Sequence, residues 1–273
     1  MLRSLNSGVS ALQQFQGELD VIGNNIANSN TTGFKSARVD FEDALSQTLQ
    51  GAGPGTPTMQ VGTGVTTDQI SNVFQQGTIN RTGGPTDLAI SGNGFFIVRN
   101  AATGDQFVTR AGDFHLDSNN FLVTADGLRV QGFNDTALTT VGDIQIDNVG
   151  SISAAPVAAF NFAPNGQINV RQTDGTQFVR GQVLMQSATN PEALLKEGNN
   201  LWSNLANAGP LAAPSVAGTN GLGNIVASSL ELSNVDLANE FSQLITTQRA
   251  FQASARIITT SDEILQELVN LKR

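Results

Sequence analysis

Enzymatic and metal chemistry needs nucleophiles, acids, bases or soft ligands at fixed spacing, and this sequence is poor in all of them. His115 is the only histidine and there is no cysteine, so neither a Ser-His-Asp constellation nor a His- or Cys-based metal site can be built around it. It reads as an ordinary strand residue. Asp117-Ser118-Asn119-Asn120 offers the oxygens of a calcium loop but lacks the glycine and bidentate glutamate at the required offsets, so it reads as a β-turn. Gly62-Thr63-Gly64 and Gly92-Asn93-Gly94 lack the third glycine and the Lys-Ser/Thr of phosphate-binding loops, and also read as turns. Asn30-Thr31-Thr32, Asn80-Arg81-Thr82 and Asn134-Asp135-Thr136 match the glycosylation tripeptide, which carries little information in so Asn- and Thr-rich a chain. Trp202, the sole tryptophan, is expected as an anchor of the core or of an arm. With no convergent carboxylate pair or nucleophile between residues 80 and 220, the expectation is a protein without catalytic activity or cofactor.

Composition narrows the partners. With 14 basic and 23 acidic residues the net charge is −9, which opposes nucleic acid or an anionic membrane surface as the main partner. Abundant glycine, the absence of tyrosine and a low share of charged residues describe a turn-rich β protein with polar surfaces. The length of 273 residues allows two domains. No run of eighteen apolar residues occurs, and MLRSLNSGVSALQQFQG has no continuous apolar core of the kind a cleaved leader carries. The expectation is therefore a chain that does not span a membrane and that leaves the cytoplasm, if it does, by a dedicated machine.

The strongest periodicity is at the two ends. From Leu237, alternate steps of four and three give Leu237, Phe241, Leu244, Gln248, Phe251, Ala255, Ile258, Asp262, Leu265 and Val269, with eight of ten positions apolar. That heptad register predicts one long helix packed on another. Asn234 or Asp236 can cap its start, and Lys272 and Arg273 suit the negative end of its dipole. Between Asn239 and Ser261 its remaining faces carry Ser, Thr and Gln, with only Glu240, Arg249 and Arg256 charged. Such a surface fits a loosely packed helix in a monomer, or a helix surrounded by copies of itself or lining a polar conduit. At the other end, Leu2, Leu5, Val9, Leu12, Phe15, Leu19, Ile22 and Ile26 predict an amphipathic helix. Its Gly8, Gly17 and Gly23 each weaken it by about 1 kcal/mol relative to Ala, so burial against the C-terminal seam must compensate.

Between about Thr66 and Gly223 the period shifts towards two, and Gly, Asn and Asp punctuate short apolar runs. Leu88-Ala89-Ile90 and Phe95-Phe96-Ile97-Val98 are expected to form a hairpin about Gly92-Asn93-Gly94. Residues 36–49 are expected to be an irregular or partly helical arm, 50–64 a Gly/Pro/Thr loop, and 206–223 a loose return arm. The predicted fold class is α+β. The terminal helices (1–35 and 233–273) pair as a coiled coil, extended arms (36–80 and 206–232) connect them, and a mainly antiparallel β domain occupies 81–205.

DVIGNNIANSNTTGFK resembles the N-terminal signature of the bacterial flagellar axial proteins, the family of rod and hook subunits. Asp87 to Val98 (DLAISGNGFFIV), Thr109 to Val123 (TRAGDFHLDSNNFLV) and SNVDL with TTQRAFQASARIITTSDEILQELVNL resemble the same family. Within it, MLRSL and ITTSDEILQELVNLKR look most like the short form of the hook subunit, with the distal rod subunit second. A secreted β-rich adhesin or enzyme is the reading from another class. The resemblance implies a structural subunit of a helical tube that couples motor rotation to the filament and lines an export channel. It implies a homopolymer that meets flagellar rod, hook-cap and hook-filament junction proteins and the export apparatus, with no nucleic acid, and that reaches the hook or basal body outside the cytoplasm without a cleaved leader. Signature residues carried over by the match are Asn24, Asn25, Ala27, Asn28, Thr32, Gly33 and Phe34. Subunit contacts are expected at Leu5, Val9, Leu12, Leu19, Ile26, Leu237, Phe241, Leu244, Phe251, Ile258, Leu265 and Val269. Phe41 and Leu45, four apart, resemble the aromatic-x-x-x-hydrophobic element read by the export gate, although packing of the arm also explains them.

Overall fold

The computed structural model describes residues 2–50, 59–203 and 214–271. The chain forms two compact units, one collecting residues 1–29, 36–73 and 235–273 and the other residues 30–35 and 74–234. The architecture is α+β, with helices at the two ends and an antiparallel β unit between them.

In the first unit the end segments form helices α1 (Leu2–Ala27) and α2 (Leu237–Leu271). They run antiparallel, because Gly8 lies against Ile258 and Ser254 while Asn25 reaches Glu240. Asp236 is the residue that caps α2: its carboxylate accepts from the amides of Ala238 at 2.9 Å and Asn239 at 3.4 Å. The seam differs from the expected one by a rotation of one position. Thr247, Ser254 and Ser261, spaced seven apart, are the buried residues of α2, and half-buried Leu244, Phe251, Ile258 and Leu265 alternate with them. Small side chains let the helix backbones approach, and Gly8 makes that approach possible. A Cβ there would stand 3.3 Å from Ile258 Cγ1 and 3.7 Å from the Ser254 carbonyl oxygen. The Ser261 hydroxyl is satisfied within its own helix, donating to the Ile257 carbonyl at 2.7 Å. The expected seam positions Leu237, Phe241, Gln248, Asp262 and Val269 consequently face solvent.

The expected arm after α1 is instead a β-ribbon. Ala37–Asp43 pairs antiparallel with Val65–Asn72 through a bulge between Asp40 and Phe41, and Ser46–Gln50 pairs with Met59–Gly62. Arg38, Val39, Asp40, Phe41 and Glu42 alternate polar with apolar, a period of two that suits a strand covered on one side. The cover is α1: the Phe15 and Phe41 rings meet edge to face at 6.3 Å, and Gln14 accepts a hydrogen bond from the Thr67 hydroxyl. The rest of the expected loop, 51–58, lies outside the described residues, as do 206–213 of the return arm and Lys272 and Arg273.

The second unit is organised on one antiparallel sheet. Its main path runs Val157–Phe162, Gln167–Gln172, Gln177–Gln186, Arg129–Phe133, Phe95–Arg99, Gln106–Thr109, Leu201–Ser203 and Leu195–Gly198. Phe95–Arg99 is central and nearly all apolar because both faces are covered. Phe96 and Val98 join the main core with Leu88, Ile90, Val130, Ile168 and Met185, while Phe95 joins a smaller core with Val108, Leu194 and Trp202. Trp202 is thus a core residue. The hairpin expected about Gly92-Asn93-Gly94 does not form: Leu88–Ser91 pairs with Asn224–Ala227, and Phe95–Arg99 with Gln106–Thr109. Both runs are too apolar to pair at a surface, and the glycines let the chain cross instead. Gly92 packs so closely on Gly223 that a Cβ would lie 2.9 Å from its Cα. The turn at Asp117 to Asn120 forms as expected, with the Asn120 amide donating to the Asp117 carbonyl at 2.8 Å.

Two glycines make opposite predictions. At Gly112 a Cβ would fall 1.7 Å from the Leu88 carbonyl oxygen, which is backbone and cannot yield, so Gly112→Ala should destabilise the β unit by about 1–3 kcal/mol or more. At Gly17, inside α1, nothing lies within 4 Å, so Gly17→Ala should stabilise the helical unit by about 0.5–1 kcal/mol. Urea denaturation of the purified chain followed by circular dichroism reads both shifts.

Candidate functional site

The signature residues after α1 divide between two tasks. Asn28 closes the helix, its amide and its side-chain Nδ2 both donating to the Asn24 carbonyl, at 3.1 and 2.9 Å. Ala27 and Asn24 are exposed, whereas Asn25 is buried. Asn25 imitates a strand neighbour: its Oδ1 accepts from the Ala37 amide at 3.0 Å and its Nδ2 donates to the Ala37 carbonyl at 2.9 Å. The same Nδ2 lies 3.2 Å from Glu240 Oε1, so one side chain joins α1, the ribbon and the first turn of α2. Burial pushes the Glu240 carboxyl above its ordinary value of 4.5; the Asn25 contact opposes the shift and the charge of Asp236 adds to it. Its second oxygen, Oε2, is buried without a hydrogen-bond partner.

The remaining signature residues belong to the β unit. The Thr32 carbonyl accepts from Asn200 Nδ2 at 2.7 Å. Gly33 takes a positive φ of 67°, and a Cβ would stand 2.5 Å from the Ala111 amide nitrogen, so only glycine fits there. Its own amide donates to the Glu231 carbonyl at 2.8 Å. Phe34 is buried, with Lys196 Nζ 4.2 Å above its ring.

Next to Phe34 stands a group of charges that the sequence reading did not single out. Lys35 and Glu231 are fully buried and paired at 2.6 Å, and Arg110, almost as deep, reaches the other carboxylate oxygen at 3.2 Å. The Gly77 amide donates to Glu231 Oε1 at 2.9 Å, Lys35 Nζ donates to the Gln75 carbonyl at 2.7 Å, and Arg110 Nη2 donates to the Gly92 carbonyl at 2.9 Å. One anion therefore serves two cations and an amide. Burial holds the Lys35 ammonium and the Arg110 guanidinium below their ordinary ranges, against the pull of Glu231 in each case. The arrangement is a structural tie and offers no acid or base to a substrate, since the cluster is closed to solvent.

The other expected positions fall as follows. Leu5, Leu12, Leu19, Ile26, Leu244, Phe251, Ile258 and Leu265 are half-buried, while Val9, Leu237, Phe241 and Val269 are exposed, Phe241 at 50% and Val269 at 67%. Phe41 packs on Phe15, but Leu45 is 89% exposed, so packing explains only the first of that pair. His115 is exposed on a short strand. Among the described residues no group of three or more His, Asp or Glu side chains could hold a metal ion.

Comparison with known proteins gives this geometry a family. The flagellar basal-body rod protein FlgG of Bacillus subtilis (strain 168) is 41% identical over 280 residues, with the whole of both chains covered. The chain belongs to the flagellar rod and hook protein family. Three family models match it: "Flagella basal body rod protein" over residues 5–35, "Flagellar hook protein FlgE/F/G D1 domain" over 89–170, and "Flagellar basal body rod FlgEFG protein C-terminal" over 226–271. Two proteins of Borreliella burgdorferi are also similar from end to end: its rod protein FlgG at 33% over 281 residues and its hook protein FlgE at 28% over 444. The chain is thus an axial structural protein of the flagellum and not an enzyme. Each of the three matched segments of this family member contributes one charge to the buried cluster, Lys35, Arg110 and Glu231 in turn. The signal that could have exposed them is an ionisable residue inside an otherwise apolar or turn-forming run, as in Ser229-Leu230-Glu231-Leu232.

Removing the shared anion should cost most. Glu231→Gln leaves two buried cations uncompensated and should destabilise the β unit by about 3–5 kcal/mol, whereas Lys35→Met leaves the Arg110 pair intact and should cost less. Chemical denaturation of both variants checks the order. For Glu240, a folded-state pKa above the unfolded 4.5 means that its contribution is fully present below 4.5 and is lost as pH rises through the folded value. Glu240→Gln should therefore lose less stability than the parent chain as pH is raised from 4.5 to neutral, measured by thermal unfolding across that range.

Proposed function

We propose that this chain is the distal rod subunit of the flagellar basal body, where the sequence reading had expected the hook. The observation that carries this reading is length together with identity. Alignment to rod proteins closes in 280 or 281 positions with both chains covered in full, while alignment to the Borreliella hook protein extends to 444. A rod subunit of this size has no counterpart for the extra length of that hook protein.

On this reading the chain is exported by the flagellar export apparatus and assembles outside the cytoplasm as a helical homopolymer. It meets other rod subunits on one side and the hook on the other. Hook-cap and hook-filament junction proteins, expected for a hook subunit, are then not its direct neighbours. The exposed residues Val9, Leu237, Phe241 and Val269 make contacts between copies, and the half-buried residues Leu5, Leu12, Leu19, Ile26, Leu244, Phe251, Ile258 and Leu265 shape the helical pair that presents them. Phe241 and Ile245, exposed one turn apart on a helix already packed on another side, support this assignment, because contiguous apolar surface marks an interaction site. Leu45, left uncovered on the ribbon, is available to the export gate in the sense the resemblance implies.

Gold-labelled antibody against the β unit, applied to basal bodies purified from cells making this protein, should mark the straight rod below the hook. Label along the curved hook would return the assignment to the hook. Burial of a phenylalanine stabilises a contact by roughly 1.5–3 kcal/mol, so Phe241→Asp should raise the protein concentration needed for assembly about tenfold or more while leaving the monomer folded. Sedimentation and electron microscopy of the concentrated protein report that change.

A further inference from the structure

The first unit contains a recess of about 380 Å³ lined by Glu18, Asn25, Arg38, Glu240 and Gln243 and floored by Ile22. Its electrostatics are one-sided. Glu18 and Glu240 have no cationic partner among the described residues, and the one cation at the rim, Arg38, is held by Asp40 at 3.0 Å. Glu240 Oε1 is occupied by Asn25, whereas Oε2 is buried with no hydrogen-bond partner in the chain. Leu237 and Phe241, three residues before Glu240 and one after it on α2, are exposed.

A ligand for this recess must bring a hydrogen-bonding cation and aliphatic surface together. The outer face of α2 carries that combination. Arg249 and Arg256 lie seven residues and about 10.5 Å apart on one stripe, with no carboxylate partner among the described residues. Next to this stripe, one turn before Arg249, Ile245 is exposed. We propose that the Glu240 recess is a socket for a guanidinium from the Arg249–Arg256 stripe of a second copy of this chain, with Ile245 beside it covering Leu237 and Phe241. The contact is heterologous, joining different patches on the two copies, so it propagates rather than closing a dimer. It rests on the reading of the chain as a polymer subunit and names one joint within it. The raised proton affinity of Glu240 agrees: a carboxylate that burial disfavours in the single chain gains its charge partner on assembly.

The test uses full-length protein. Glu240→Gln keeps an acceptor for Asn25 and should leave the thermal midpoint at or above that of the parent, yet raise the assembly concentration about tenfold. Arg249→Glu or Arg256→Glu should do the same, and one of them combined with Glu240→Lys should recover assembly. Unchanged assembly by Glu240→Gln, or recovery by neither exchange, overturns the socket. Because the chain has no cysteine, Glu240→Cys chains mixed with Arg249→Cys or Arg256→Cys chains in basal bodies give an independent readout with a short bis-maleimide. Cross-linked dimers are expected for one pairing only, and their absence from both pairings overturns the proposal even if purified protein does not polymerise. Cross-links in a structure that antibody places in the hook would sink the rod reading and keep the socket. Rod labelling without cross-links would do the reverse.

Discussion

A carboxylate shut away from water needs enough donors to replace the water it has lost, and Glu231 sets that condition for the β unit. Lys35, Arg110 and the Gly77 amide supply the donors, and they come from three widely separated parts of the sequence. Two cations against one anion leave a net positive charge inside the protein, which is not a route to maximal stability. Its effect is selective: packing that places any one of these segments wrongly strands a charge. Gly33 sits directly on this arrangement, its amide bound to the Glu231 carbonyl and its missing side chain allowing the Ala111 backbone to close in. The glycine, the buried phenylalanine and the lysine that follow one another at residues 33–35 are thus one device, in which backbone freedom, apolar contact and charge each fill a different role.

How much of this was legible depended on how local the cause was. Both helices could be read from periodicity because the i, i+3, i+4 pattern lies within each segment. Their facing could not, because the residues buried at the centre of the α2 seam are Thr247, Ser254 and Ser261, which no hydrophobic pattern selects. Close packing chose them for size, and the evidence for that lies on α1, at Gly8. The arm expected at 36–49 holds a strand of the ribbon 37–72, in which charged residues alternate with apolar ones. Alternation of that kind marks a strand with one covered face, but the cover is a helix that ends ten residues earlier. The expected hairpin at 88–98 failed for the opposite reason. Its local signal was good, yet partners at 224–227 and 106–109 competed better for two strands apolar enough to need burial on both faces. The charge cluster was out of reach, since its members are up to 196 residues apart and each looks ordinary alone.

The helical pair places its material unusually. A two-helix unit that had to be stable alone would put its largest apolar side chains between the helices and its serines and threonines outside. Here the centre of the α2 seam is Thr and Ser, while Leu237, Phe241, Ile245, Ile257, Ile264, Leu268, Val269 and Leu271 are exposed. The exposed set does not form one stripe. Phe241 and Ile245 lie on one flank of the seam, and Ile257 and Ile264 on the other. Such a distribution suits a chain whose family assembles into polymeric axial structures, because the close seam makes a thin helical pair and the two apolar flanks can each meet a different neighbour. A single stripe would favour a closed dimer, whereas two displaced flanks allow contact to continue from copy to copy. The ribbon can remain a two-stranded element for a more local reason. A lone pair of strands is marginal in water, and packing against α1 through Phe15 and Gln14 supplies the cover that stabilises it.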